Sequence, residues 1–194
     1  MADEPPGVVI RALLWKRHGA DGNIARMSRA VLVCLSFALA GCAALPPPRT
    51  VESVDLTRYA GAWHEIESFP NFFQRGCTGT KAVYTPLTDG TLRVVNECVR
   101  GGRKVSVTGT ARPVAGSNNA KLKVRIGGPF EGDYWILDLD RDYRWAAVGH
   151  PNRRYLWILA REPKMDSATL QLIQGRLAAQ GYDISRLRPT PPAP

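Results

Sequence analysis

A chain of 194 residues, 44% hydrophobic and 22% charged, has the length for one folded domain and the composition of a globular one. No run of 18 or more apolar residues occurs, which excludes a conventional spanning helix. The net charge of +9 invites nucleic acid as a partner, but the arginines and lysines are scattered among apolar residues. Without a basic run or a basic helix, no nucleic-acid partner is expected, and the charge reads as solubility plus attraction to anionic surfaces.

Residues 1–26 carry turn residues (Pro5-Pro6, Gly19, Asp21-Gly22) and read as a non-native extension ahead of the true start at Met27. Arg26 and Arg29 then flank an apolar run over 31–40, the pattern of an export signal. That run ends Leu39-Ala40-Gly41-Cys42, which resembles the lipobox of bacterial lipoproteins. The resemblance implies a signal peptide over 27–41, cleaved ahead of Cys42, and fatty acyl chains such as palmitate on the Cys42 thiol. Ala43 rather than Asp after the cysteine resembles the outer-membrane sorting pattern, so a lipid-anchored protein on the periplasmic face of that membrane is expected. Residues 42–53, with Pro46-Pro47-Pro48, read as an extended tether. The alternatives are an ordinary cleaved signal with a chance cysteine, or a short buried helix.

From Trp63 onward the chain reads as short strands punctuated by turns: Trp63–Glu67, Cys77–Thr85, Leu92–Val99, Lys104–Pro113, Lys121–Ile126, Asp133–Leu139, Trp145–His150 and Tyr155–Ala160. Lys121 to Ile126 alternates charged and apolar residues, giving one wet and one dry face. Asp89-Gly90 marks a hairpin between the second and third strands. Folding it there puts Cys77 and Cys98 on one face and diagonal to each other, and a bulge at Gly76 or Gly79 draws them closer. With Cys34 in the leader and Cys42 acylated, a Cys77–Cys98 disulfide in an oxidising compartment is the economical pairing; two free thiols are the alternative. After the strands, Asp166 or Ser167 caps a helix whose stripe is Leu170, Ile173, Leu177 and Ala178, ending near Gly181. Residues 189–194 are a Pro-rich tail.

Three segments then resemble the signatures of lipocalins, in the right order. Tyr59-Ala60-Gly61-Ala62-Trp63 resembles the opening Gly-X-Trp. Asp140-Arg141-Asp142-Tyr143 resembles the Thr-Asp-Tyr turn, with Arg141 in place of Thr. Leu156-Trp157-Ile158-Leu159-Ala160-Arg161 resembles the last strand and its terminal arginine. The resemblance covers about 54–187 and is nearest to bacterial outer-membrane lipocalins, with His64 standing where those carry Tyr. It implies an all-β, eight-stranded antiparallel up-and-down barrel over 54–188, with one C-terminal α-helix packed outside. It also implies that Gly61, Trp63 and Arg161 close one end of that barrel, the guanidinium lying across the indole.

With Arg161 pointing inward, Leu159, Trp157 and Tyr155 point inward too, from closed end to mouth. Parity with Trp63 sends Glu65 inward as a polar partner for a headgroup. Tyr134, Ile136 and Trp145 are further lining candidates, while Phe69, Phe72 and Phe73 guard the mouth. The expected ligand is a fatty acid or lysophospholipid. No cofactor, metal site or enzymatic activity is expected, since neither metal-ligand spacing nor a nucleophile elbow occurs. Two other readings stand beside this one: a lipid-modifying enzyme using Cys77, and a filled barrel that docks a protein. Oligomeric state is open.

Overall fold

The computed structural model describes residues 45–194. The extension over 1–26, the signal segment over 27–41 and Cys42 lie outside the described residues.

A short helix, α1 (Leu56–Tyr59), leads into eight strands: β1 (Gly61–Ser68), β2 (Cys77–Pro86), β3 (Leu92–Arg100), β4 (Arg103–Pro113), β5 (Lys121–Ile126), β6 (Glu131–Leu139), β7 (Trp145–Gly149) and β8 (Leu156–Ala160). Then follow α2 (Ser167–Ala179), a 3-10 turn over Ile184–Arg186 and a two-residue strand, β9 (Arg188–Pro189). Each strand from β1 to β8 pairs antiparallel with the next, and β1 pairs with both β8 and β2, so the sheet closes on itself. Short reversals make this topology accessible: Gly90, Gly101, Gly102 and Gly127 hold positive φ at hairpin turns.

One end of the barrel carries α1 and the β2–β3, β4–β5 and β6–β7 connections. The other carries the β1–β2, β3–β4, β5–β6 and β7–β8 connections. Two apolar clusters divide the side chains. The inner one holds Trp63, Tyr59, Tyr84, Leu92, Val94, Leu122, Ile136, Val148 and Leu159. The outer one holds Trp145, Ala147, Leu156, Ile158 and Ala160, packed under Ile173 and Leu177 of α2. Strand alternation explains the split, and bulges set where it slips. In β6 the shift between Ile136 and Asp138 keeps Ile136 inside and turns Leu137 and Asp138 toward α2, where Arg176 holds Asp138 at 3.0 Å. A second shift in β1, between Glu65 and Glu67, turns Ile66 and Glu67 outward, and Gln174 of α2 donates to the Glu67 carboxylate at 2.8 Å.

Helix α2 begins where Asp166 accepts from the Thr169 amide, and Gly181 beyond its end takes φ +81°. Ile173 and Leu177 are fully buried, whereas Ala178 faces solvent. Burial of two aliphatic side chains at roughly 1.5–3 kcal/mol each holds the helix against the barrel wall.

Two terminal segments differ from the sequence expectation. Read as tether, residues 46–53 instead lie along the barrel: Arg153 donates to Pro46 O, Arg49 N to Gln180 Oε1 and Val51 N to Ile136 O. Nothing in the local sequence forecasts those partners, which come from distant loops. At the other end, the Pro-rich tail is bound as well. β9 pairs with Glu67 and Ser68, Thr190 N donates to Ile66 O, and Gly79 N donates to Pro191 O. β1 and β2 pair only from Gly61 to His64, so the tail fills the split above that point.

Candidate ligand-binding site

At the α1 end the barrel is sealed. Trp63 is fully buried, and the Arg161 guanidinium lies 3.8 Å over its ring. The same guanidinium donates to three carbonyls: Arg58 at 2.7 Å, Ala62 at 2.8 Å and Tyr143 at 3.2 Å. Trp63 Nε1 in turn donates to Tyr59 O at 2.8 Å. Gly61 takes φ +95°, and a Cβ there would meet an Arg161 terminal nitrogen, so glycine suits both the backbone and the close approach. A half-buried cation–π contact of this kind contributes about 1 kcal/mol, and the carbonyl bonds add to it. Burial lowers the Arg161 pKa from its usual value. The Asp140–Tyr143 turn braces the plug from below. Asp140 accepts from the amides of Asp142 and Arg144 and from the Arg144 guanidinium, whose bond holds its carboxyl below the usual carboxylate range. Tyr143 Oη accepts from the Asp55 amide, Asp55 being the residue that caps α1.

Above the plug three tyrosines meet inside the barrel. Tyr134 Oη lies 2.7 Å from Tyr59 Oη and 2.9 Å from Tyr84 Oη. Each hydroxyl is thereby satisfied without water, and desolvation raises all three pKa values, that of Tyr84 to about 12. Ile136, Val94, Leu122, Val148 and Leu159 supply the apolar wall around them.

Toward the opposite end the side chains turn aromatic and polar. Tyr155 and Trp157 stack with their rings parallel to within 5° and 5.9 Å apart, and Phe73 approaches both from the β1–β2 loop. Beneath that loop lies a polar cluster. Glu65 accepts from Ser68 Oγ at 2.8 Å, from Thr190 Oγ1 at 2.7 Å and from Gln74 Nε2. Gln74 Oε1 accepts from Trp157 Nε1 at 3.0 Å, joining the cluster to the aromatic stack. A cavity of about 380 Å³ opens beside Glu65, Ser68, Gln74, Arg75, Cys77 and Thr190. Cys77 lines its wall and is bonded to Cys98, with Cα atoms 5.5 Å apart. The β2 shift between Thr78 and Lys81 sets Gly79 and Thr80 across from Cys98 and draws the two cysteines together.

Of the expected lining residues, Tyr134, Ile136 and Leu159 lie in the inner cluster, Trp157 packs against it, and Tyr155 stacks on Trp157. Glu65 also faces inward, because the β1 shift falls after it. Trp145 is the correction. It pairs with Ala160 and packs in the outer cluster under α2, while its neighbours Ala146 and Val148 face the interior. Phe69 is likewise buried in the outer cluster rather than at the mouth. Sequence reasoning missed Tyr59 and Tyr84, as well as Ser68, Gln74 and Thr190. Tyr84 was open to discovery, since its parity on β2 follows from the hairpin; Thr190 was not, because its contact depends on where the tail lands. Among the described residues no cluster of three His, Cys, Asp or Glu groups could hold a metal.

A closed antiparallel barrel with one plugged end and an aromatic mouth defines a small-ligand-binding β-barrel. The chain belongs to the lipocalin family: the lipocalin-like domain matches residues 54–192. It is 40% identical over 150 residues to temperature-induced lipocalin-1 of Arabidopsis thaliana, covering 73% of this chain and 81% of that one. It is 36% identical over 156 residues to the outer membrane lipoprotein Blc of Escherichia coli K12, covering 78% and 88%. In three dimensions it resembles insecticyanin of the tobacco hornworm Manduca sexta at a TM-score of 0.61 and 21% identity, covering 75% of this chain and 84% of that one.

Proposed function

We propose that this protein is an acyl-anchored lipocalin of the bacterial outer membrane that binds a fatty acid or lysophospholipid in its barrel, storing or carrying it for membrane maintenance. The observation that carries the reading is the asymmetry of the barrel interior. The plugged end offers an apolar wall and a self-satisfied tyrosine trio, and the mouth offers stacked aromatics beside hydrogen-bonding groups. An acyl chain gains by burial against the first, and a headgroup finds partners at the second. Likeness to a protein named as an outer membrane lipoprotein supports the anchor at Cys42 and the membrane, as does the Leu39-Ala40-Gly41-Cys42 motif. Tyr134, Ile136 and Leu159 would contact the chain, with Trp157, Tyr155 and Glu65 nearer the headgroup. Cys77 is bonded to Cys98, which removes the thiolate that a nucleophilic mechanism would need.

Protein purified from membranes, extracted with organic solvent and analysed by mass spectrometry should yield one fatty acid or lysophospholipid per chain. Its N-terminal peptide should begin at a diacylated Cys42. A clean apo protein that takes up neither lipid on incubation would refute the carrier reading and favour the filled barrel that docks a protein partner.

A further inference from the structure

Large apolar side chains are left in solvent at one end of the barrel. Phe130 of the β5–β6 turn is 86% exposed, and Phe72 and Phe73 of the β1–β2 loop are 75% and 47% exposed. Three exposed phenylalanines thus stand on two loops on opposite sides of one opening, whereas Leu87 is the exposed large apolar residue of the plugged-end connections among the described residues. Phe130 meets none of the aromatic partners that hold Phe73 against Tyr155 and Trp157, so packing of the mouth does not account for it.

Charge separates the ends in the same sense. The four open-end connections, 69–76, 101–102, 127–130 and 150–155, hold Arg75, Arg153 and Arg154. Arg100, Arg103 and Lys104 flank the β3–β4 turn, which makes six basic groups against one flanking carboxylate, the ion-paired Glu131 beside the β5–β6 turn. Among the described residues none of those six forms an ion pair. Plugged-end connections instead carry Glu52, Asp55, Asp89, Asp140 and Asp142 among their arginines. Aromatic side chains set among basic groups that lack carboxylate partners suit the interface of an anionic bilayer, where rings lie at the headgroup level and each basic group near the surface contributes about 1 kcal/mol.

The start of the described chain lies at this end too. Arg153, in the β7–β8 connection, donates to Pro46 O, and Leu45 is 62% exposed beside Gly181. Cys42 is three residues upstream of Leu45, a reach of at most about 11 Å. A plugged-end-down posture would have to span the barrel's length, which that stub cannot do.

We propose that the open end is a membrane-docking face: Phe72, Phe73 and Phe130, ringed by arginines, seat the barrel mouth on the anionic phospholipid surface in which Cys42 is anchored. This deepens the anchored-carrier reading and rests on its acyl anchor. Ligand then passes between bilayer and barrel without crossing bulk water.

The test uses the full, processed chain reconstituted through its anchor into phosphatidylethanolamine vesicles containing phosphatidylglycerol. Phe130→Cys, Phe72→Cys and, as control, Leu87→Cys variants carry an environment-sensitive fluorophore. Emission from positions 72 and 130 should shift to the blue, and spin-labelled lipid should quench it at least about fivefold more than emission from position 87. Replacing phosphatidylglycerol by phosphatidylcholine should reduce that quenching about twofold or more. Vesicle-bound protein with equal quenching at all three positions would overturn the orientation while leaving the carrier reading intact. Rim labels that become buried without vesicles, in proportion to protein concentration, would assign the face to a second copy and overturn the proposal. Protein that does not float with vesicles removes the anchor and this inference together, and lipid extraction then judges the carrier reading separately.

Discussion

The two ends of this barrel are built from the same strands under opposite rules. At the plugged end every polar group in the plug is spoken for: one guanidinium serves three carbonyls, Trp63 donates to Tyr59 O, and a carboxylate closes the supporting turn. At the open end the polar groups are also paired, but through a loop and a tail rather than through strands. A residue at the first end is therefore held by packing that any unfolding must break. One at the second can be released by moving 69–76 or 188–191 alone. The contrast separates stability from binding, and substitutions at the two ends should divide along that line.

The largest effect belongs to the plug. Trp63→Ala should cost about 3–5 kcal/mol, read as a lowered denaturation midpoint in urea, because it opens a cavity and strands the Arg161 guanidinium above it. If lipid affinity per folded molecule falls as far as stability does, the division between the ends is false. Next comes the disulfide. It closes a segment with a sequence separation of 21 and sits in the open half. Cys77→Ala with Cys98→Ala should cost roughly 3 kcal/mol in the chain-entropy account while leaving Trp63 fluorescence in the folded protein unchanged.

How much of this contrast could be read in the sequence differs between the ends as well. Strand alternation and turn residues are local signals, and they locate all eight strands of the barrel to within a few residues. Plug residues lie in compact motifs, so Gly61, Trp63 and Arg161 were legible. The mouth is assembled from segments far apart in the chain. Thr190 reaches Glu65 across 125 residues, and Gln74 reaches Trp157 across 83, with no periodicity to announce either pairing. Trp145 shows a different limit. The strand could be located, but its facing depended on registers that the apolar run Ile136-Leu137 left ambiguous. Sequence also did not disclose α1, although Asp55 ahead of Leu56 is an acceptable cap.

The tyrosine trio lies between the ends and gives a graded test. Desolvation holds the Tyr84 pKa at about 12 in the folded protein, above its ordinary value near 10. The folded state then keeps a proton that the unfolded chain loses, so stability is intact below about pH 10 and falls as pH rises toward about 12. Each such tyrosine should contribute a slope of roughly 1 kcal/mol per pH unit in that window. Denaturation followed at stepped alkaline pH should show this slope, with the phenolate absorbance of the trio, three of the chain's six tyrosines, rising only as the barrel unfolds. Tyr134→Phe leaves Tyr59 and Tyr84 without their shared partner and should cost about 1–3 kcal/mol at neutral pH. Early phenolate absorbance assigned to the trio in a folded barrel, by its loss in the Tyr84→Phe variant, would mean that water reaches the trio from the mouth, erasing the boundary between the two regions.

The smallest expected change in stability, and the sharpest in function, is at Glu65. Its carboxylate faces the cavity with Ser68, Gln74 and Thr190 as donors, all of which can also donate to a neutral amide oxygen. Glu65→Gln should therefore shift stability by no more than about 1 kcal/mol. Affinity should move in a direction set by the ligand. A fatty acid brings a second carboxylate to the mouth, and removing the first relieves like-charge repulsion, so its Kd should fall several-fold, about 1 kcal/mol. A lysophospholipid with an ammonium headgroup loses an attractive partner, so its Kd should rise by a similar factor. Trp157 donates to Gln74, which in turn donates to Glu65, so its fluorescence provides the titration signal for both ligands. Opposite signs for the two lipids would place the headgroup at Glu65 and identify which class the mouth is built for. Unchanged affinity for both would place the headgroup elsewhere on the rim, nearer the arginines, and make Glu65 a brace for the loop and tail.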